Sequence, residues 1–165
     1  MRYNEVRVRT NDGCDLFVRN YSPDRHARCG RTLVLIHGTS EHGGRYGHVA
    51  KAAAEEGWEV IIPDLRGHGQ SGGVPVHINR FERYLKDLDT LWQFFELNPT
   101  RTVVMGHSFG GLISIRYAET RPNRMASLVA LSPLLELKVK INPLTWMLGR
   151  LTSIVRPTTR FESRV

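Results

Sequence analysis

A chain of 165 residues, 41% hydrophobic and 24% charged, is long enough for one domain with a sizeable core. No apolar run approaches the roughly 18 to 20 residues of a membrane span, and the N-terminus, Met1-Arg-Tyr-Asn-Glu-Val-Arg-Val-Arg, lacks the apolar centre of a signal peptide, so a cytoplasmic location is expected. The net charge of +7 sits at the ends, with seven Arg against four acids in residues 1–31 and six basic groups against two acids in residues 132–165; this fits weak association with anionic lipid headgroups, and no basic stripe with interleaved aromatics points to nucleic acid.

Glu5 to Thr10 alternates, Val6 and Val8 against Arg7 and Arg9, as a half-buried strand does. Asn11-Asp12-Gly13 is a turn signal, and Cys14, Leu16 and Val18 resume the alternation, so residues 5–20 read as an antiparallel hairpin. Cys14 and Cys29 have no companion Cys or His spacing, so neither a metal nor a disulfide is indicated. Ser22 to Arg31, with Pro23 and Gly30, reads as a loop. Thr32 to His37 is apolar on both faces, the mark of a parallel strand covered by helices. Gly38 to Gly44 is a glycine-bearing loop, and Tyr46 to Glu56 an alanine-rich helix closed by Gly57.

Trp58 to Ile62 is predicted as the next buried strand, followed by a loop dense in glycine from Arg66 to Gly73. Asn79 to Leu97 reads as a helix, with Phe81, Tyr84, Leu85, Leu88, Leu91, Trp92 and Phe95 on one face, Asn79 as its cap and Asn98-Pro99 as its stop. The strand 101–105 precedes a helix from Phe109 to about Thr120, and Ser127 to Leu131 is predicted as one more buried strand. A hairpin followed by strand–helix alternation specifies a parallel sheet covered on both faces. Pro143 to Val155 breaks the rhythm with an amphipathic helix carrying Leu144, Met147, Leu148, Leu151 and Val155 on one face and Trp146 beside it.

Three clusters fall at the C-terminal ends of buried strands, where open α/β sheets bind ligands. The first is His37-Gly38-Thr39-Ser40-Glu41-His42-Gly43-Gly44-Arg45-Tyr46, and the second is Asp64-Leu65-Arg66-Gly67-His68-Gly69-Gln70-Ser71-Gly72-Gly73. The third, Gly106-His107-Ser108-Phe109-Gly110, has the Gly-x-Ser-x-Gly form of a nucleophile elbow, a tight strand-to-helix turn in which glycines leave room around a strained serine. Together they resemble the α/β-hydrolase superfamily, and the His-Gly-x-x-Glu-His-x-x-Arg-Tyr form of the first is similar to the monoacylglycerol lipase and lysophospholipase group.

That resemblance implies a serine ester hydrolase without cofactor or metal, acting on a small lipid ester, a monoacylglycerol or a lysophospholipid. Ser108 would be the nucleophile, with the backbone N–H groups of Thr39 and Phe109 as the oxyanion hole. His37, Gly38, Gly106 and Gly110 would shape the site, His37 as a hydrogen-bonding brace rather than a base. His68 would pin its own loop, His107 would point away from the site, and Glu41, His42, Arg45 and Tyr46 would brace the helix that follows. Residues 1–135 would form the hydrolase core and 136–165 the start of a cap. Asp-nucleophile dehalogenases and epoxide hydrolases are disfavoured because position 108 is Ser.

The family's chain order is Ser, then Asp or Glu, then His. Here all seven histidines (His26, His37, His42, His48, His68, His77 and His107) precede Ser108, and only Glu119, Glu136 and Glu162 follow it as acids. The expectation is therefore a chain truncated before the triad acid and histidine, weak or inactive alone, with strand 127–131 left as an apolar sheet edge. A complementing C-terminal chain, a working esterase that borrows a base from another subunit of a homo-oligomer or uses an unexpected histidine of this chain, and a non-catalytic lipid- or partner-binding module are the competing readings. Carboxylesterase and proline iminopeptidase activities also stay open.

Overall fold

The computed structural model describes residues 1–136 and 142–155. It contains two compact units, Met1–Leu135 and Glu136–Val165. The first unit holds six strands: β1 (Arg2–Arg9), β2 (Asp15–Ser22), β3 (Thr32–Ile36), β4 (Glu59–Pro63), β5 (Thr102–His107) and β6 (Ser127–Leu131). They form one sheet in the order β1-β2-β4-β3-β5-β6. β1 pairs antiparallel with β2 and β2 with β4, while β4, β3, β5 and β6 run parallel. Helices α1 (Gly47–Glu55), α2 (Glu82–Phe94) and α3 (Phe109–Thr120) cover it.

The two faces of the sheet carry separate cores. Val34, Ile36, Ile61 and Val104 pack with Leu85, Leu88 and Trp92 of α2 and with Ile113 and Tyr117 of α3. Leu33, Leu35, Val60 and Ile62 pack instead with Ala50 and Ala54 of α1. The continuous apolar runs of β3 and β4 follow from this double covering, since every side chain of a strand sandwiched by helices is removed from water. Gly57 closes α1 at φ +87, and the Cβ of any other residue there would stand 2.1 Å from the Ala27 carbonyl oxygen.

Two expectations are corrected. The helix predicted over Asn79–Leu97 is α2, Glu82–Phe94, and Asn79 does not cap it; its N-cap is Phe81, without a side-chain cap bond. Tight three-residue bonds from Arg83 N–H to Arg80 O and from Tyr84 N–H to Phe81 O precede it, and Glu96 beyond it takes φ 49. Phe81 and Phe95 nevertheless pack on the core, so the apolar periodicity records burial past the ends of the regular helix. The second correction is β6, which is a strand but not a buried one: Val129 and Leu131 are 36% and 43% exposed. It is the sheet's edge, as the reading of a chain truncated before the triad expected, and apolar content on both faces does not translate into burial on both.

The other edge contrasts with it. β1 presents Arg2, Glu5, Arg7 and Arg9 to solvent, the charge pattern that discourages further strand pairing, while β6 carries no charged residue. In the second unit, α4 (Pro143–Val155) exposes Leu144, Trp146, Met147, Leu148 and Leu151; the Val155 side chain lies outside the described residues. Among the described residues no helix is long and apolar enough to cross a membrane.

Candidate active site

The register of β3 on β5 pairs Ile36 with Gly106, which sets the loop after β3 beside the turn after β5. Ser108 occupies that turn at φ 51, ψ −115, a left-handed conformation that costs a non-glycine residue of order 1–3 kcal/mol and persists only where its surroundings enforce it. They do so through three backbone bonds: Ser108 N–H donates to Leu131 O at 2.9 Å, and Ser108 O accepts from Leu134 and Leu112 N–H at 3.0 and 3.2 Å. The flanking glycines are needed for close approach. A Cβ on Gly106 would lie 2.4 Å from Gly110 O, and one on Gly110 would lie 2.2 Å from Ile36 O and 2.4 Å from His37 O. α3 therefore sits with its first turn against β3. The Phe109 ring stands edge-on to Tyr84 at 5.4 Å and to Phe81 at 6.1 Å.

His37 is fully buried, its Nδ1 2.7 Å from Gly38 O and its Nε2 accepting from Leu65 N–H at 2.8 Å. Nδ1 must carry the proton in this arrangement, and both ring nitrogens are committed to backbone. Burial holds its pKa down at about 4, so the ring is neutral. His37 is thus a brace for the loop, and Gly38 brings that loop against the elbow: a Cβ there would come within 3.2 Å of Ser108 Cβ. Neither the Thr39 nor the Phe109 N–H has an acceptor among the described residues.

Glu41 ties the same loop together. Its Oε1 accepts from Gly38 N–H at 2.5 Å and from Tyr46 hydroxyl at 2.7 Å, and Arg45 stands 3.5 Å from Oε2. Burial alone would raise its carboxyl pKa, but hydrogen bonds from Tyr46, Gly38 and His107 outweigh it and hold the group below its ordinary value. His107 does not point away from this region, as expected from the turn. Its Nδ1 lies 2.9 Å from Tyr46 Oη and 3.3 Å from Glu41 Oε1, beside Gly38. Alternation along β5 places His107 opposite to Gly106, and that face is where the β3 loop folds over. The polar network therefore joins elbow to oxyanion loop instead of only bracing α1.

Asp64 is the residue whose role the sequence did not disclose. It is fully buried at the end of β4, pairs with Arg19 of β2 at 2.6 Å, and accepts from Gly43 and Gln70 N–H at 2.7 and 2.8 Å. Its carbonyl also accepts from the Ser71 hydroxyl at 2.6 Å. One carboxylate thus fastens the hairpin, the oxyanion loop and the glycine-rich loop to one another, and Gly69 closes over it at φ +51 where a Cβ would lie 2.1 Å from Oδ2. The signal available was an Asp directly after an apolar strand and before a glycine-dense loop. His68 pins its own loop through Nδ1 and Arg66 O at 3.1 Å.

No side chain among the described residues hydrogen-bonds the Ser108 hydroxyl. Glu119 pairs with Arg116 on the exposed side of α3, Glu136 is exposed, and Glu162 lies outside the described residues. The arrangement can hold a nucleophile and receive an oxyanion. Among the described residues it shows no group in place to take the serine proton.

A family model described as "Serine aminopeptidase, S33" (Hydrolase_4) matches residues 28–165. The chain is 32% identical over 145 residues to a monoacylglycerol lipase of Mycolicibacterium smegmatis, covering 87% of this chain and 51% of that protein. It is 28% identical over 132 residues to the phospholipase YtpA of Bacillus subtilis, covering 79% and 51%. The solved structure of a monoacylglycerol lipase from Paleococcus ferrophilus is similar with a TM-score of 0.67 at 30% identity, covering 95% of this chain and 53% of that one. The chain spans about half the length of these relatives.

Proposed function

The chain belongs to the Hydrolase_4 (serine aminopeptidase, S33) family and has the α/β-hydrolase fold, and from that premise we propose that it carries the nucleophile and oxyanion hole of a serine ester hydrolase for monoacylglycerols or lysophospholipids. The observation that carries this reading is the strained Ser108 turn beside two acceptor-free N–H groups, those of Thr39 and Phe109. Ser108 Oγ would bond to the ester carbonyl carbon while its proton leaves to a base. The carbonyl electron pair would move onto oxygen, and the two N–H groups would stabilise that charge; one such donor is typically worth about 3–4 kcal/mol in the transition state. Collapse would then expel the alcohol with a proton and leave an acyl-serine for water to cleave.

The base is the part that these elements do not place at Ser108. A segment outside the described residues, a complementing chain, a second copy or a histidine of this chain would supply it, and the exposed apolar face of α4 would serve as the beginning of a cap, with weak association at an anionic membrane surface in the cytoplasm. The relatives named for lipases and a phospholipase support the lipid ester over the peptidase named in the family's description. A second reading, a non-catalytic lipid-binding module, is favoured by the unpartnered Ser108 hydroxyl.

The purified chain is expected to hydrolyse p-nitrophenyl butyrate barely above background, with Ser108→Ala changing little. An oxyanion hole and binding alone can leave roughly 10³–10⁴-fold over water. Robust turnover abolished by Ser108→Ala would instead favour a base borrowed from a second copy or supplied by a histidine of this chain. Saturable monoacylglycerol binding without turnover, lost when the α4 face is made polar, would favour the binding module.

A further inference from the structure

Between the β1–β2 turn, the loop at Arg66, α2 and the end of α3, the first unit holds a cavity of about 690 Å³. Neither the elbow nor the oxyanion loop contributes to its walls. Its volume is in the ~300–1,000 Å³ range of small-molecule sites, yet unlike most of them every residue that lines it is polar or charged.

Six cations and four carboxylates face it. All four carboxylates are engaged. Arg66 takes Asp12 at 2.7 and 2.9 Å and Asp87 at 2.6 and 3.0 Å, and Arg121 takes Glu82 at 2.8 Å and Asp89 at 3.0 Å. Arg80, Lys86 and Arg124 make no ion pair among the described residues. They come from three separate places: the turn before α2, α2 itself and the segment after α3. The backbone at Arg124 is held, because its carbonyl accepts from the buried Trp92 indole at 2.9 Å.

We propose that this cavity binds a small hydrophilic ligand bearing two or more oxyanion groups, phosphoryl or carboxylate, gripped by Arg80, Lys86 and Arg124. Cations arriving from three walls match a ligand whose anionic oxygens are spread over more than one centre, and the six cations exceed the four engaged carboxylates. Guanidinium groups from two of the walls offer the planar fork that recognises phosphoryl and carboxylate oxygens in pairs.

Inorganic pyrophosphate titrated into the full chain is the probe, read by calorimetry and by thermal melting at low and physiological salt. Saturable one-to-one binding with a raised Tm is expected. Lys86→Glu and Arg124→Glu should each weaken it about tenfold or more, the worth of one charge-assisted contact. Lys51→Glu, exposed on α1 at the opposite face of the sheet, should leave it within about twofold. Absence of saturable binding, or an equal loss in Lys51→Glu, overturns the proposal. Phosphatidic acid vesicles test the rest of the proposal: pyrophosphate binding without competition from the vesicles identifies a soluble ligand with more than one anionic group, whereas cosedimentation relieved by pyrophosphate shows that a single lipid phosphomonoester suffices and overturns it.

Discussion

The loops that shape the site and the hydroxyl they surround are finished to different degrees. Around His37, Glu41 and Asp64 the polar atoms are joined in a continuous set of hydrogen bonds, His68 Nε2 being the one buried side-chain atom without a partner among the described residues. Next to them the Ser108 hydroxyl has no hydrogen-bond partner among the described residues. The difference follows from where the partners come from. The loops are braced by segments of the same unit. Activation of serine needs an acid and a histidine that the family order sets after the nucleophile, and no histidine follows Ser108 here.

If the loop scaffold is intrinsic to the unit, damaging it should cost stability even without a working base. Asp64→Ala leaves Arg19 buried without its carboxylate and frees two backbone N–H groups, so a loss of about 3–5 kcal/mol is expected by chemical denaturation. His37 should show itself through pH. Its pKa falls from 6.5 to about 4 on folding, so the unfolded chain binds the extra proton between those values. Stability is then complete above about pH 6.5 and declines as pH falls toward 4, by about 3 kcal/mol in all. His37→Gln should flatten that part of a Tm-against-pH curve relative to the parent.

Gly110→Ala drives a methyl group against the backbone of β3, and a loss of about 1–3 kcal/mol is expected, measurable as a lower Tm. Ser108→Ala keeps the backbone bonds of the elbow and removes a hydroxyl that bonds to nothing described, so its stability should stay within about 0.5 kcal/mol of the parent. A destabilisation there as large as that of Asp64→Ala would erase the contrast between scaffold and nucleophile.

The sheet, its helices and the elbow were legible because each has a local signature. Alternation marks the hairpin, apolar runs mark β3 and β4, and Gly106 and Gly110 mark a turn with no space for side chains. What escaped depends on contacts distant in sequence. Arg19 reads as one polar position in an alternating strand, and only the pairing of β2 with β4 brings it to Asp64. His107 was misplaced because the direction of its side chain matters less than the loop from β3 that folds over it.

The most direct test supplies the missing base from solution. Hydrolysis of p-nitrophenyl butyrate is followed at rising imidazole concentration in the parent chain and in Ser108→Ala, and the variant's rate is subtracted. A preformed nucleophile and oxyanion hole predict a Ser108-dependent rate that is near zero without imidazole and grows with it. Full Ser108-dependent turnover in its absence, or an imidazole response identical in the two proteins, would contradict the account.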